Sequence, residues 1–223
     1  MKKIPTLFKR EFEGQTVHIK NEVTPGFEWV LEGKGLATIK WDGACCAIFN
    51  GQLYRRYDAK KGKTPPAGAI PCQPDPDPIT GHWPHWVKCD EDNPSDKWFI
   101  AALESSKYQV IKEASKHILV AAVRAGSGQT EPPPASFEAV GRHFNGNPYD
   151  LDHDILIPHG RHKIKGLKRS FEGIRDYLHK TNIEGIVFWR DDRPQCKIKR
   201  TDFGFAWPTH IQDPWLWTIR ASV

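Results

Sequence analysis

The chain has no apolar run approaching the length of about 20 residues that spans a bilayer, so a helical membrane protein is not expected. It has no even set of cysteines: there are five, and Cys45 and Cys46 are adjacent. A secreted disulfide framework and a disulfide-linked partner are therefore not expected, and a reducing, cytoplasmic compartment suits the thiols better. Charge of neither sign dominates. Lys and Arg number 32 against 27 Asp and Glu, a net of +5. That balance falls far short of a polycation, yet it permits a polyanionic partner. There is no self-similarity at a period of roughly 20–50 residues, which excludes solenoids and propellers. The opening Met1 to Arg10 is too charged for a signal peptide. What remains is a folded globule of 223 residues, 39% hydrophobic and 11% aromatic, with nine tryptophans. Such a chain buries roughly 70% of its unfolded surface without staples.

The local pattern predicts strands toward both ends with helices between. Short β-type runs occupy residues 36–42, 44–49 and 52–57, and Asn50-Gly51 between the last two is a hairpin signal, since both residues tolerate positive φ. Six prolines within residues 64–78 predict an extended surface loop. Ser95 or Asp96 is placed to cap a helix over about 97–123, with a break near Ser105-Ser106; Gly126, Gly128 and prolines 132–134 end it. Residues 135–144 predict a strand. Phe171, Ile174, Tyr177 and Leu178 form one stripe of a helix over 170–181. Residues 183–190 and 195–200 predict two strands joined by the turn Asp191-Asp192-Arg193-Pro194. The fold class is α+β with antiparallel strands, because regular βαβ alternation is missing. A single domain is expected over 1–223, with a core at 36–200 and a short C-terminal extension at 201–223.

The chemistry centres on Lys40-Trp41-Asp42-Gly43. In a strand Lys40 and Asp42 share a face, and Gly43 lets the backbone turn or a ligand approach. An amine is a nucleophile only when neutral, which needs desolvation or nearby positive charge. Taken alone the tetrapeptide reads as a surface ion pair before a turn. The rest of the chain alters that. Glu184-Gly185-Ile186-Val187-Phe188 carries an acid into an apolar strand, and Cys196-Lys197-Ile198-Lys199 sets two lysines on one strand face. Two ammonium groups beside a carboxylate suit a triphosphate with its divalent ion. Phe137-Glu138 places a further acid on a strand.

The ordered set Lys-x-Asp-Gly, Arg55-Arg56, Phe137-Glu138, Glu184-Gly185-Ile186-Val187 and Lys197-x-Lys199 resembles the covalent nucleotidyltransferase superfamily of DNA ligases, RNA ligases and mRNA capping enzymes. The closer resemblance is to a small family of RNA ligases that includes a vertebrate 5′-to-3′ RNA ligase. It is carried by Tyr54 to Asp58, Ile70 to Trp86, Asp96-Lys97-Trp98, Gly141 to Tyr149 and Ile157-Pro158-His159-Gly160. The resemblance implies an adenylation domain with antiparallel sheets around a nucleotide cleft, flanking helices, and ATP with Mg²⁺ or Mn²⁺. By the same resemblance Lys40 takes AMP as a phosphoramidate, and Asp42 and Gly43 shape the nucleotide site. One of Arg55 and Arg56 meets phosphate or ribose, Arg55 being favoured. Glu138 holds ribose or metal, Glu184 contacts metal, and Lys197 and Lys199 meet the α-phosphate. The implied activity joins RNA 5′-phosphate and 3′-hydroxyl ends through lysyl-AMP and AMP-RNA. Phe144, Tyr149 and His159 are candidates to stack on adenine.

Two basic clusters suit an RNA backbone, residues 55–63 with Arg56, Lys60, Lys61 and Lys63, and residues 161–169 with Arg161 and Lys163. Gly62-Lys63-Thr64 lacks the first glycine of a P-loop. Cys72, His82, His85 and Cys89 match no usual zinc spacing. His153 and His159 read as structural, and Trp207, Trp215 and Trp217 as packing residues. The stretch after Lys199 is short for the oligonucleotide-binding barrel that superfamily members carry, so none is expected. A capping-type guanylyltransferase, a DNA ligase and a non-catalytic RNA-binding module are the competing readings.

Overall fold

A computed structural model describes residues 3–13, 16–49, 51–78, 80–106 and 135–209. The continuation of the helix to 123, the stops at Gly126, Gly128 and 132–134, Asn50, Trp215 and Trp217 lie outside the described residues. The chain divides into two compact units, one of residues 43–159 with the extreme N-terminus, the other of residues 4–42 and 160 onward.

The first unit is built on a six-stranded antiparallel sheet. Its strands are β4 (Ala44–Phe49), β5 (Gln52–Ala59), β6 (Ile70–Pro71), β7 (Trp83–Lys88), β8 (Ala135–Val140) and β9 (Ile155–Pro158), in the order β6-β7-β5-β4-β8-β9. Gly51, at φ 69°, closes the β4–β5 hairpin, with Phe49 opposite Gln52. Alternation along the strands sends Cys46, Phe137 and Ala139 to one face, where α2 (Lys97–Ser105) covers them with Ala102 and the partly buried Phe99 and Leu103. The helix ends where Ser105-Ser106 predicts a break. Asp96 is its N-cap residue, but its carboxylate caps nothing. It accepts from Arg55 Nε and from the Asp90 amide instead. Most of the proline-rich 64–78 segment is irregular and exposed, as expected.

The second unit holds a hairpin of β1 (Phe8–Glu13) and β2 (Thr16–Val23), the short helix α1 (Glu28–Leu31), α3 (Phe171–Lys180), and a three-stranded sheet in the order β11-β10-β3. Those strands are β3 (Leu36–Lys40), β10 (Gly185–Arg190) and β11 (Arg193–Lys199). Ser170 caps α3, its Oγ accepting from the Gly173 amide at 3.0 Å. The apolar face of the sheet, Ile39, Ile186 and Ile198, is buried together with Ile174 and Leu178 of the α3 stripe. The β10–β11 turn is tighter than the sequence predicts. Asp191 and Asp192 alone turn the chain, both at positive φ, and Arg193-Pro194 already belongs to β11. Proline fits there because the register slips at Trp189. Strands β1, β2 and β7 fall outside the runs that the local pattern predicts. Among the described residues no helix is long and apolar enough to cross a membrane, and all five cysteines are free.

Candidate active site

In the second unit, Lys40 ends β3 and Lys199 ends β11, and both stand directly opposite Gly185 of the central β10. Residues in register share a face, so both lysines project to the side opposite the buried isoleucines. Lys197 and Thr38 repeat the arrangement one pleat along, both opposite Val187. A side chain on Gly185 would have its Cβ only 2.3 Å from the Ile198 carbonyl oxygen, so only glycine lets the strands close. Glu184, just before β10, takes both cations. Lys40 Nζ donates to Oε2, and Lys199 Nζ lies 2.7 Å from Oε1. The Glu184 side chain is 6% exposed. Burial, and then the Lys40 and Lys199 charges, push Lys197 down to about 8. The predicted grouping of Lys40, Glu184, Lys197 and Lys199 is therefore physically assembled. The lysine ammonium groups gathered at this carboxylate can exchange it for the oxygens of a phosphate ester.

Asp42 is placed differently from its expectation. β3 stops at Lys40, so strand alternation does not carry on to Asp42. Its Oδ2 accepts from Trp207 Nε1 at 2.7 Å, which gives that tryptophan a polar partner that composition did not suggest. Arg161 and Lys163 are exposed, on the segment whose Ile164 amide bonds the Ala37 carbonyl.

In the first unit, Glu138 is on the sheet face away from α2. Its Oε1 accepts from the Gly43 amide at 3.1 Å, and His159 Nε2 is 2.9 Å from Oε2. Gly43 serves strand packing, where sequence left a turn or a ligand open. A Cβ there would meet the Ala139 carbonyl oxygen at 2.1 Å. Arg55 pairs in register with Cys46, which puts it on the helix-covered face, ion-paired with the fully buried Asp96. Arg56 is on the opposite face, that of Glu138, and pairs with Asp58. Register thus separates the two arginines, sending Arg55 under α2 and Arg56 to the face of Glu138. Lys60, Lys61 and Lys63 are exposed. Phe144 and Tyr149 are buried, Phe144 against Phe99, which removes them as stacking platforms. His159, read as structural, is in contact with Glu138. Its sequence signals are its place just beyond β9 and within the stretch Ile157-Pro158-His159-Gly160. Cys72, His82, His85 and Cys89 form no metal-holding group among the described residues.

These two sets of charged groups are the candidate sites of the two units. The family model for RNA ligase 1 matches residues 68–218, and the chain belongs to that family. Glu138, Glu184, Lys197 and Lys199 fall within the matched segment and Lys40 before it. RNA ligase 1 of Pongo abelii is 28% identical over 147 residues, covering 57% of this chain and 42% of that protein. RNA ligase 1 of Danio rerio is 28% identical over 142 residues with the same coverage. RNA ligase 1 of Rattus norvegicus is 26% identical over 232 residues, 78% of this chain and 68% of that one. The chain thus spans less than half the length of the first two relatives in its match to them.

Proposed function

We propose that the chain is an ATP-dependent RNA ligase whose nucleophile is Lys40. The observation that carries this reading is the shared register of Lys40 and Lys199 about Gly185, with Glu184 between their ammonium groups. Lys40 passes a proton to the Glu184 carboxylate, and its freed lone pair attacks the α-phosphorus of ATP. A P–N bond forms, the P–O bond to pyrophosphate breaks, and pyrophosphate leaves. Lys197 and Lys199 offset the negative charge that builds on the phosphoryl oxygens. An oxygen of an RNA 5′-phosphate then attacks the same phosphorus, breaking P–N and giving AMP-RNA. A 3′-hydroxyl attacks the 5′-phosphate and AMP departs.

Mg²⁺ or Mn²⁺ fits the donor type on hand, since the Glu184 carboxylate would be freed for it when Lys40 and Lys199 turn to the substrate phosphates. When bound, such an ion withdraws charge from the phosphoryl oxygens. Glu138 is assigned to the nucleotide ribose on motif order alone. RNA is held by the basic clusters, with Arg56, Lys60, Lys61 and Lys63 in one unit and Arg161 and Lys163 in the other.

The test is incubation with α-labelled ATP or GTP and Mg²⁺ or Mn²⁺, then denaturing electrophoresis. A covalent adduct from ATP that vanishes in Lys40→Ala is expected. Labelling by GTP alone would replace the ligase with a capping-type enzyme. No adduct with either nucleotide would leave an RNA-binding module. Sealing of DNA ends in place of RNA ends would make it a DNA ligase.

A further inference from the structure

The first unit brings together three different metal-ligating side chains, those of Cys45, Glu138 and His159, with one donor atom from each within 4.8 Å of the others. Register explains the convergence. Cys45 of β4 is directly opposite Glu138 of β8. The β8–β9 pairing runs on past β9, and the His159 amide bonds the Ser136 carbonyl at 3.1 Å. Ser136 and Glu138 share a face, so all three donors project from the side away from α2. The Glu138 and His159 side chains are 13% and 14% exposed, which leaves a narrow approach from solvent.

We propose that Cys45, Glu138 and His159 bind a Zn²⁺-class ion. A thiolate, an imidazole and a carboxylate form a set that Zn²⁺ accepts and Mg²⁺ does not favour. Tetrahedral donors around zinc lie about 3.3–3.8 Å apart. The 2.9 Å contact between Glu138 Oε2 and His159 Nε2 opens slightly on binding and the remaining separations close. The supporting groups are in place. Gly43 N–H holds Oε1 and leaves Oε2 to the metal, and Ser136 Oγ lies 3.0 Å from His159 Nδ1. A ligating histidine is oriented by such a bond on its other nitrogen.

Protons balance as follows. The Cys45 thiol releases its proton to solvent. The neutral imidazole carries its proton on Nδ1 instead of Nε2, the Nδ1–H donates to Ser136 Oγ, and the Nε2 lone pair meets the ion. With three protein donors, the fourth position is open to water or a ligand. The site shares Glu138 with the ribose role proposed above but does not depend on that role, because metal retention is read without nucleotide.

The full chain is loaded with Zn²⁺ under a phosphine reductant, dialysed, and analysed for metal. One equivalent retained is expected, with affinity falling by about 100-fold or more in Cys45→Ala and in His159→Ala, both checked for native circular dichroism. Co²⁺ in the unsubstituted protein should give a thiolate-to-cobalt charge-transfer band that Cys45→Ala removes. Loss of all Zn²⁺ on dialysis, retention that survives both substitutions, or a Co²⁺ complex without the thiolate band would each overturn the assignment.

Discussion

Lys40 and Lys199 lie on strands separated by β10, yet their ammonium groups hold the two oxygens of one carboxylate, that of Glu184. Gly185 makes this possible. It stands opposite both lysines and has no side chain to hold them apart.

Replacing the carboxylate is the most direct probe of that arrangement. Glu184→Gln keeps the shape but removes the counter-charge from Lys40 and Lys199 and from the half-buried Lys197. Adenylylation should slow by orders of magnitude in single-turnover labelling. Stability should fall by about 1–3 kcal/mol in urea denaturation, a loss too small to unfold the chain. Labelling at the normal rate would show that Glu184 serves only the sheet.

Gly185→Ala tests the strand approach by itself. The added Cβ would sit 2.3 Å from a backbone oxygen, which cannot yield as a flexible side chain does. A loss of about 1–3 kcal/mol is expected in denaturant titration. Lys40 labelling should fall more steeply than stability predicts, because the strands bearing the lysines must spread.

The Arg55–Asp96 pair should be costly to break from either side. Asp96 is fully buried and Arg55 is 18% exposed. Asp96→Asn leaves a guanidinium beside a neutral amide, at a cost of about 2–4 kcal/mol, read as a lowered urea midpoint. Arg56→Ala, on the opposite sheet face and partly solvated, should shift the midpoint much less. Equal effects would contradict the assignment of faces.

Acid should destabilise the protein through His162. Its ring packs edge-on to Trp41 at 5.3 Å, and burial, then the Arg161 charge, lowers it to about 4 from 6.5. Between those values the unfolded chain holds the proton and the native one does not, so stability falls as pH drops through this window. His162→Phe keeps the packing and removes the proton site. Urea midpoints at pH 7 and pH 4.5 should converge for the variant relative to the parent protein. An unchanged difference would show that other groups carry the acid sensitivity.

The local signals were legible where a residue acts on its own backbone. Gly51 turns a hairpin, Asp191-Asp192 another, Ser170 caps α3, and the stripe of Phe171, Ile174, Tyr177 and Leu178 meets the core. The Lys197–Lys199 face followed from strand period alone. Elsewhere a distant partner decides what a side chain does. Asp96 fills the N-cap position of α2, but its carboxylate serves Arg55. Arg55 and Arg56 are indistinguishable as neighbours in a strand, and only the pairing of β5 with β4 sends Arg55 under α2.

By itself, the sequence determined the order of motifs that ties the chain to a family, and the turns and the Ser170 cap, which depend on side chains near one another along the backbone. Tertiary structure alone decided that Glu184 would close on a lysine 144 positions away, and that Cys45, Glu138 and His159 would share one face. Those relations are set by cross-strand register. Register depends on which strands become neighbours, and that choice is made by burial of the whole sheet and not by any local pattern.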